Sequence, residues 1–313
     1  MSDDDKNKAY TGGRFTFEFD DKQSAGFVNG IDGGQFKADP VTYQQGADFF
    51  VTKYAGRSKF EDITVSVGAA MSPPFWKWVA SSLEGKPQRR NGALVGYDFD
   101  FCERSRRSFR DGLIAEIGFP ALDAASKSAA TLSVKISPEF IEYKKGDGAS
   151  LSGGQAQDQM TKQKRWLTSN FRFSLDRFKS GDGMRSVKIE AFTVKQNIIE
   201  NAVGSEKYAR KEVGRLELPQ IIVTFPESQM ENWMKWWDES VGKGNRKDQY
   251  TTGVITYLAN DRTTELMHVE LSGVSLLSVE LEKYEAHKEG IAQAKATLNV
   301  EGLTLKTTAK GTV

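Results

Sequence analysis

The chain has 313 residues, with 43 Lys+Arg against 42 Asp+Glu, one Cys, two His, 29 Gly and 19 Phe. At 38% hydrophobic and 27% charged it is neither disordered nor fibrous, and it has length for one large domain or two of ~150 residues. A net charge of +1 argues against a strongly basic nucleic-acid binder, and the lone Cys102 excludes an intrachain disulfide, which fits a reducing compartment.

Residues 1–12 open with Met-Ser-Asp-Asp-Asp-Lys and read as a flexible acidic tail, without the basic start or apolar stretch of a secretory signal. No run reaches the ~18–20 apolar residues that would cross a bilayer. Phe15, Phe17 and Phe19 alternate with polar residues, as a half-buried strand does. Gln35–Tyr43 reads as a second strand, with Pro40 marking an edge or a bulge. The polar stretch Gln44–Lys59 reads as a loop and Ile63–Val67 as the next strand. Ser72-Pro73-Pro74 starts a helix, with Ser at the N-cap and Pro at N1. Phe75, Trp78, Val79 and Leu83 share one face of it, and Gly85 can close it. Strands follow at Val95–Phe101, Leu113–Phe119 and Thr131–Ile136.

Residues 146–165 are rich in Gly, Ser and Gln and read as a linker, after which the order of elements returns. Phe15–Asp20 reappears as Phe171–Asp176 and Ile63–Val67 as Ile221–Phe225. Glu116-Ile117 matches Glu270-Leu271, and Ala130–Val134 matches Ala296–Val300. The spacings are 156, 158, 154 and 166, so an insertion is expected in the second copy around Lys283–Gln293. Ser228–Glu231 has capping-box spacing, and Met230, Trp233, Met234, Trp237 and Val241 form the second helical stripe, ended by Gly242. Ile255 and Tyr257 mark a strand, and two more are expected at Met267–Leu271 and Thr297–Leu305. One helix among about six antiparallel strands per copy gives a mainly β fold: two tandem small antiparallel barrel or sandwich domains, at 13–145 and 166–308, each with one packed α-helix.

Chemistry is sparse. No nucleotide loop, zincin or nucleophile-elbow motif occurs, and two histidines with one cysteine do not make a zinc site. His268 reads as an exposed strand residue, and Asp98/Asp100 as a solvated strand face, with a glycosidase or cation site as the alternative. The tryptophans Trp233, Trp236 and Trp237 read as core, although they could stack on sugars or bases. Arg104, Arg106, Arg107 and Arg110 read as a charged turn or subunit contact before a phosphate site. No catalytic residue, metal or cofactor is expected.

In its order of elements the chain resembles the tail-tube proteins of contractile phages and of extracellular contractile injection systems, whose fold is similar to the type VI secretion tube protein. In the first copy the resemblance rests on Phe15–Asp20, Tyr54-Ala55-Gly56-Arg57, Ile63–Gly68, Phe75–Trp78 and Thr131–Ile136. In the second it rests on Phe171–Asp176, Ile221–Phe225, Trp233–Trp237 and Thr297–Leu305. It implies a structural, non-enzymatic ring or tube protein of a virion tail or injection-system particle, assembled in the bacterial cytoplasm. Ordinary subunits of the family carry one such domain in six-membered rings. Two per chain therefore imply a homotrimeric, pseudo-hexameric ring around a lumen, serving as tube subunit, initiator, cap or adaptor.

The implied partners are further copies in stacked rings and sheath, baseplate or other tube proteins. DNA or protein cargo would pass through the lumen, with no sequence-specific nucleic-acid contact and no membrane insertion. By the same resemblance Gln44–Lys59 and Asn201–Leu216 are the loops that reach the adjacent ring. Their contact candidates are Tyr43, Phe49, Lys53, Tyr54, Arg57 and Lys59 in one, and Tyr208, Arg210, Lys211 and Arg215 in the other. The alternatives are a β-barrel module that binds glycan or peptide through its aromatic residues, and a hydrolase using Asp98/Asp100.

Overall fold

The computed structural model describes residues 13–19, 24–44, 46, 49–151, 166–178, 186–202, 204, 208–244, 249–282 and 291–307. The acidic tail, residues 152–165 of the expected linker, and residues 283–290 of the expected insertion lie outside them.

In the first half, alternation of apolar and polar side chains yields β1 (Arg14–Phe19), β2 (Ser24–Gly33) and β5 (Ile63–Val67). Between the last two stand β3 (Phe36–Tyr43) and β4 (Thr52–Phe60). The helix α1 (Pro73–Leu83) precedes β6 (Arg90–Tyr97), β7 (Glu103–Phe119), β8 (Leu122–Asp123), β9 (Leu132–Ser137) and β10 (Phe140–Lys145). The antiparallel ladder runs β7-β6-β1-β2-β5-β9 and returns to β7, closing a six-stranded barrel. Closure removes the open edges that a small sheet would otherwise present. The 17-residue β7 serves both ends of this circuit, pairing β6 and β10 with its first part and β9 with its second. It bends at Asp111, which sits in the left-handed region at φ 51 and donates its N–H to Asn91 Oδ1 at 2.7 Å.

Helix α1 plugs the barrel as expected. Phe75, Trp78, Val79 and Leu83 are buried, and Trp76 is buried with them. Phe17 on β1 meets Phe75 at 5.6 Å and Trp78 at 6.2 Å between ring centroids. Each such ring, fully buried, contributes roughly 1.5–3 kcal/mol. Ser72 is the N-cap residue, but its hydroxyl makes no capping bond; its carbonyl accepts from the N–H groups of Phe75 and Trp76. Gly85 ends the helix at φ 71.

The second half is built from β11 (Phe171–Leu175), β12 (Lys188–Ile189), β13 (Phe192–Asn201), β14 (Arg210–Glu217) and β15 (Ile221–Pro226). Helix α2 (Met230–Trp237) leads to β16 (Thr251–Leu258), β17 (Glu265–Leu281), β18 (Gln293–Asn299) and β19 (Gly302–Thr307). Seven ladders recur: β1–β6 as β11–β16, β2–β5 as β12–β15, β3–β4 as β13–β14, β5–β9 as β15–β18, β6–β7 as β16–β17, β7–β9 as β17–β18, and β7–β10 as β17–β19. Gly273, at φ 61, takes the place of Asp111 at the bend.

The registers correct the repeat spacing. Equivalent residues lie 156 apart in β1, 158 apart from β3 through α1, 161 apart in β6, and 162 apart from β7 to β10. Glu116, opposite Lys135, corresponds to Ser278, opposite Thr297; Glu270 is not its equivalent. Val134 likewise corresponds to Ala296. Because β7 and β9 share one spacing, no insertion at Lys283–Gln293 is required. Short alternating strands match one another at even shifts, here of eight and four residues, and only hydrogen-bond register separates those matches.

Three further expectations change. Gln44–Lys59 contains β4, so the expected loop is largely the second leg of a hairpin, and Asn201–Leu216 likewise contains most of β14. Thr297–Leu305 is two strands, parts of β18 and β19. The buried residues of α2 are Trp233 and Trp236, while Met234 is 38% exposed and Met230 and Trp237 flank the core. Trp233, Trp236 and Ser240 correspond to Phe75, Trp78 and Ser82, and both serine hydroxyls donate to the carbonyl four residues earlier. Helix α2 is short, follows a 3₁₀ turn at Glu227–Gln229 and runs into a π turn at Asp238–Gly242, so a continuous 3.6-residue stripe does not describe it. The Ser228–Glu231 capping box does not form; Gln229 is the N-cap residue, and its side chain does not cap the helix.

Candidate assembly interface

The two halves meet through an arm. Hairpin β13–β14 leaves the second half and lies along the first, where Phe192, Thr193, Val194 and Lys195 pair with Phe119, Gly118, Ile117 and Glu116. Phe119 and Phe192 stack at 4.7 Å with 20° between planes. The short strands β12 and β8 extend the same contact. Leu83, Ala115 and Ile117 share a small cavity with Val194, Gln196 and Leu216, so the end of α1 is sealed by the arm. A continuous antiparallel ladder of this kind satisfies the edge of β7 beyond its barrel contacts.

Further along, Tyr208 packs against Phe60 at 5.4 Å and Phe140 at 5.1 Å. Lys211 is buried with its ammonium 3.0 Å from Ser137 Oγ, 3.6 Å from Asp62 and 3.7 Å from Glu200. Its backbone N–H donates to Glu139 at 2.8 Å, and its carbonyl accepts from Arg89. A buried ammonium is tolerated only when paired and hydrogen-bonded, and the first half supplies most of those groups.

The expected contact residues therefore divide. Tyr208 and Lys211 face the first half of the same chain, which corrects their reading as loop residues reaching away from it. Arg210 and Arg215 are exposed on β14. Tyr43, Lys53, Tyr54, Arg57 and Lys59 lie on hairpin β3–β4, with Phe49 between its strands, and all six are exposed. Lys59 pairs with Asp39 at 2.6 Å, and that hydrogen bond raises its pKa. Hairpin β3–β4 is a two-stranded sheet of its own and has no ladder to the rest of the chain among the described residues. Sequence reading missed Phe119, Phe192, Ser137 and Glu139, whose roles follow only from the crossing of the halves.

The other candidates have structural partners. Asp98 lies in the β6–β7 turn, not on a strand face: Oδ1 accepts the N–H groups of Cys102 and Asp100, and Oδ2 holds Arg104 at 2.7 Å. The Cys102 N–H, with help from Arg104, keeps its carboxyl below the usual range. Arg106 grips Glu103 with two bonds of 2.9 and 2.8 Å and reaches Glu18 at 2.8 Å. The bonds to Glu103 first, then those to Glu18, raise its pKa above the ordinary guanidinium value. Arg107 donates to the Gly33 carbonyl, and Arg110 lies 4.3 Å above the Phe140 ring. His268 stands 3.5 Å from Glu270 on β17. Among the described residues no group of three or more His, Cys, Asp or Glu could hold a metal ion, and no helix is long and apolar enough to cross a membrane.

Comparison with known proteins adds likenesses over part of the chain. Solved structures similar to this chain include a PVC sheath–tube complex of an extracellular contractile injection system, 15% identical over 46% of this chain and 99% of that one, at a TM-score of 0.38. Another is the tube-terminating cap of the anti-feeding prophage, 19% identical over 44% of this chain and 88% of that one, at 0.35. A third is Hcp1 from Flavobacterium johnsoniae, 6% identical over 44% and 94%, at 0.27. No curated protein matches. Residues 12–142 match the family model of the T4-like virus tail tube protein gp19, so the tail-tube resemblance read from the sequence is found again across the first barrel.

Proposed function

We propose that the chain is a structural ring component of a phage tail or contractile injection system, with three copies closing a pseudo-hexameric ring around a lumen. The single observation that carries this is the match of residues 12–142 to the tail tube family, set beside a second half that repeats seven of the same ladders. Two tube-type domains in one chain raise each other's effective concentration and allow alternate positions of a ring to differ. The exposed residues Tyr43, Phe49, Tyr54 and Arg57 of the free hairpin are then available to an adjacent ring, a sheath or a baseplate. Tube subunit, initiator, cap and adaptor all fit this role, and cargo would pass without base-specific contact. Light scattering and negative-stain microscopy of the purified chain test the reading. Trimers, or stacks of trimers with a central pore, are expected; a monomer at micromolar concentration refutes it.

A further inference from the structure

We propose that hairpin β3–β4 of one chain docks along β17 of a second copy, rebuilding between chains the junction that β13–β14 makes with β7 inside one chain. The proposal rests on the ring reading above and names the contacts by which copies would join.

The repeat supplies the template. With the spacing of 158 for the arms and helices and 162 for the long strands, each residue of the internal junction has a counterpart elsewhere in the chain. Several of those counterparts are bare, although Gly34, which stands for Phe192, is buried. Val194, 1% exposed opposite Ile117, corresponds to Phe36, which is 57% exposed. Phe119 at 2% corresponds to Leu281 at 52%, and Leu83 at 4% to Val241 at 47%. Buried Ala115, which lines the same cavity as Val194, likewise has an exposed counterpart in Leu277. Single exposed apolar residues are ordinary on any surface. Four that coincide with one buried interface of the same molecule are the two faces of that interface left open.

The backbone agrees. Over Glu116–Gly118, β7 carries β9 on one edge and β13 on the other. Its counterpart, Ser278–Glu280 of β17, carries β18 alone among the described residues. An unpaired edge invites a strand, and β3 has its own outer edge free. Transferring the register places Phe36 opposite Val279 and Lys37 opposite Ser278. Farther out, Phe50 takes the place of Tyr208, over Leu218 and Gly302 instead of Phe60 and Phe140.

Lys53 replaces Lys211, with Glu301 in the place of Glu139 to accept its backbone N–H. Gln220 and Asn299 stand where Asp62 and Ser137 stand, and Thr42 where Glu200 stands. The contact between chains thus keeps the apolar pair of Phe36 with Val279, sets Gly34 against Leu281 where Phe192 stacks on Phe119, and loses two carboxylates around the lysine. Arm and groove lie on opposite halves, so copies join head to tail, as ring closure requires.

The test uses the full chain carrying Cys102→Ser with Phe36→Cys and Val279→Cys, oxidised and run on non-reducing gels. Directly opposed residues of antiparallel strands sit ~4.5–5.5 Å apart at Cα, within disulfide reach. Reductant-sensitive interchain bands are expected. The control pair Val41→Cys with Val279→Cys places the thiol five residues along β3, ~17 Å away, and should stay uncross-linked. Equal cross-linking of both pairs overturns the register. No cross-link in a protein that light scattering still finds multimeric overturns the arm assignment and leaves the ring standing. A monomer overturns both.

Discussion

Trp236→Ala asks which face of α2 is buried. The indole is 1% exposed, 5.9 Å from Trp233 and 6.0 Å from Phe178, with the Arg177 guanidinium 5.6 Å from its centroid. Truncating a ring so enclosed forfeits its transfer energy and leaves a cavity, a loss of ~3–5 kcal/mol. Set against a domain stability of ~5–15 kcal/mol, that is a large fraction. In chains diluted to monomer, Met234→Ala removes a side chain that is 38% exposed and should cost less than ~1 kcal/mol. Urea unfolding with hydrogen exchange separates the two outcomes. With a urea slope of ~1–3 kcal/mol/M, Trp236→Ala should lower the second half's midpoint by ~1–5 M. Amides of β15 and β18 should lose protection while those of β1 and β6 keep it. Equal, small effects of the two substitutions would refute the orientation assigned to α2 and restore the stripe through Met234 and Trp237.

Arg106→Ala leaves Glu18 and Glu103, each under 9% exposed, without their cation, and should cost ~3–5 kcal/mol at neutral pH. Thermal unfolding at neutral pH checks it beside Arg106→Ala combined with Glu18→Gln: removing one orphaned charge should recover part of the loss, and an undiminished deficit would contradict the charge argument. Tyr97 has its pKa pushed up to about 12, first by burial and then by the nearby Glu18 charge. Its folded pKa lies above the unfolded value of ~10, so the unfolded chain releases the proton first. Its contribution is therefore whole below pH ~10 and falls as pH rises toward 12, by ~2–3 kcal/mol in all. Tyr97→Phe should flatten that decline in chemical denaturation measured between those limits, and an unchanged slope would count against it.

Much of this protein was legible in its residues. The alternation of Phe15, Phe17 and Phe19 and of Ile63, Val65 and Val67 fixes strands because a pleated chain turns successive side chains to opposite faces. Pro73 and Gly85 bound α1 because one needs no N–H at N1 and the other tolerates a positive φ. The recurrence of Phe171–Asp176 and Ile221–Phe225 in the same order announced two like units. All of these are local properties, carried by a few adjacent residues.

What the tertiary structure alone decided is non-local. The spacings of 156 and 158 were readable in β1 and β5, but that of the later strands became readable only from ladder register, since a strand matches itself equally well after an even-numbered slip. The burial of Trp236 in place of Met234 follows from where the barrel wall stands against a short helix that ends in a π turn. The polar segments that looked like loops are hairpin legs, because their partners across the turn supply hydrogen bonds that no single strand displays. Lys211 and Lys53 are equivalent by sequence, yet one is buried and the other bare. The difference is which neighbour lies beneath each arm, and a linear pattern of side chains carries no record of that.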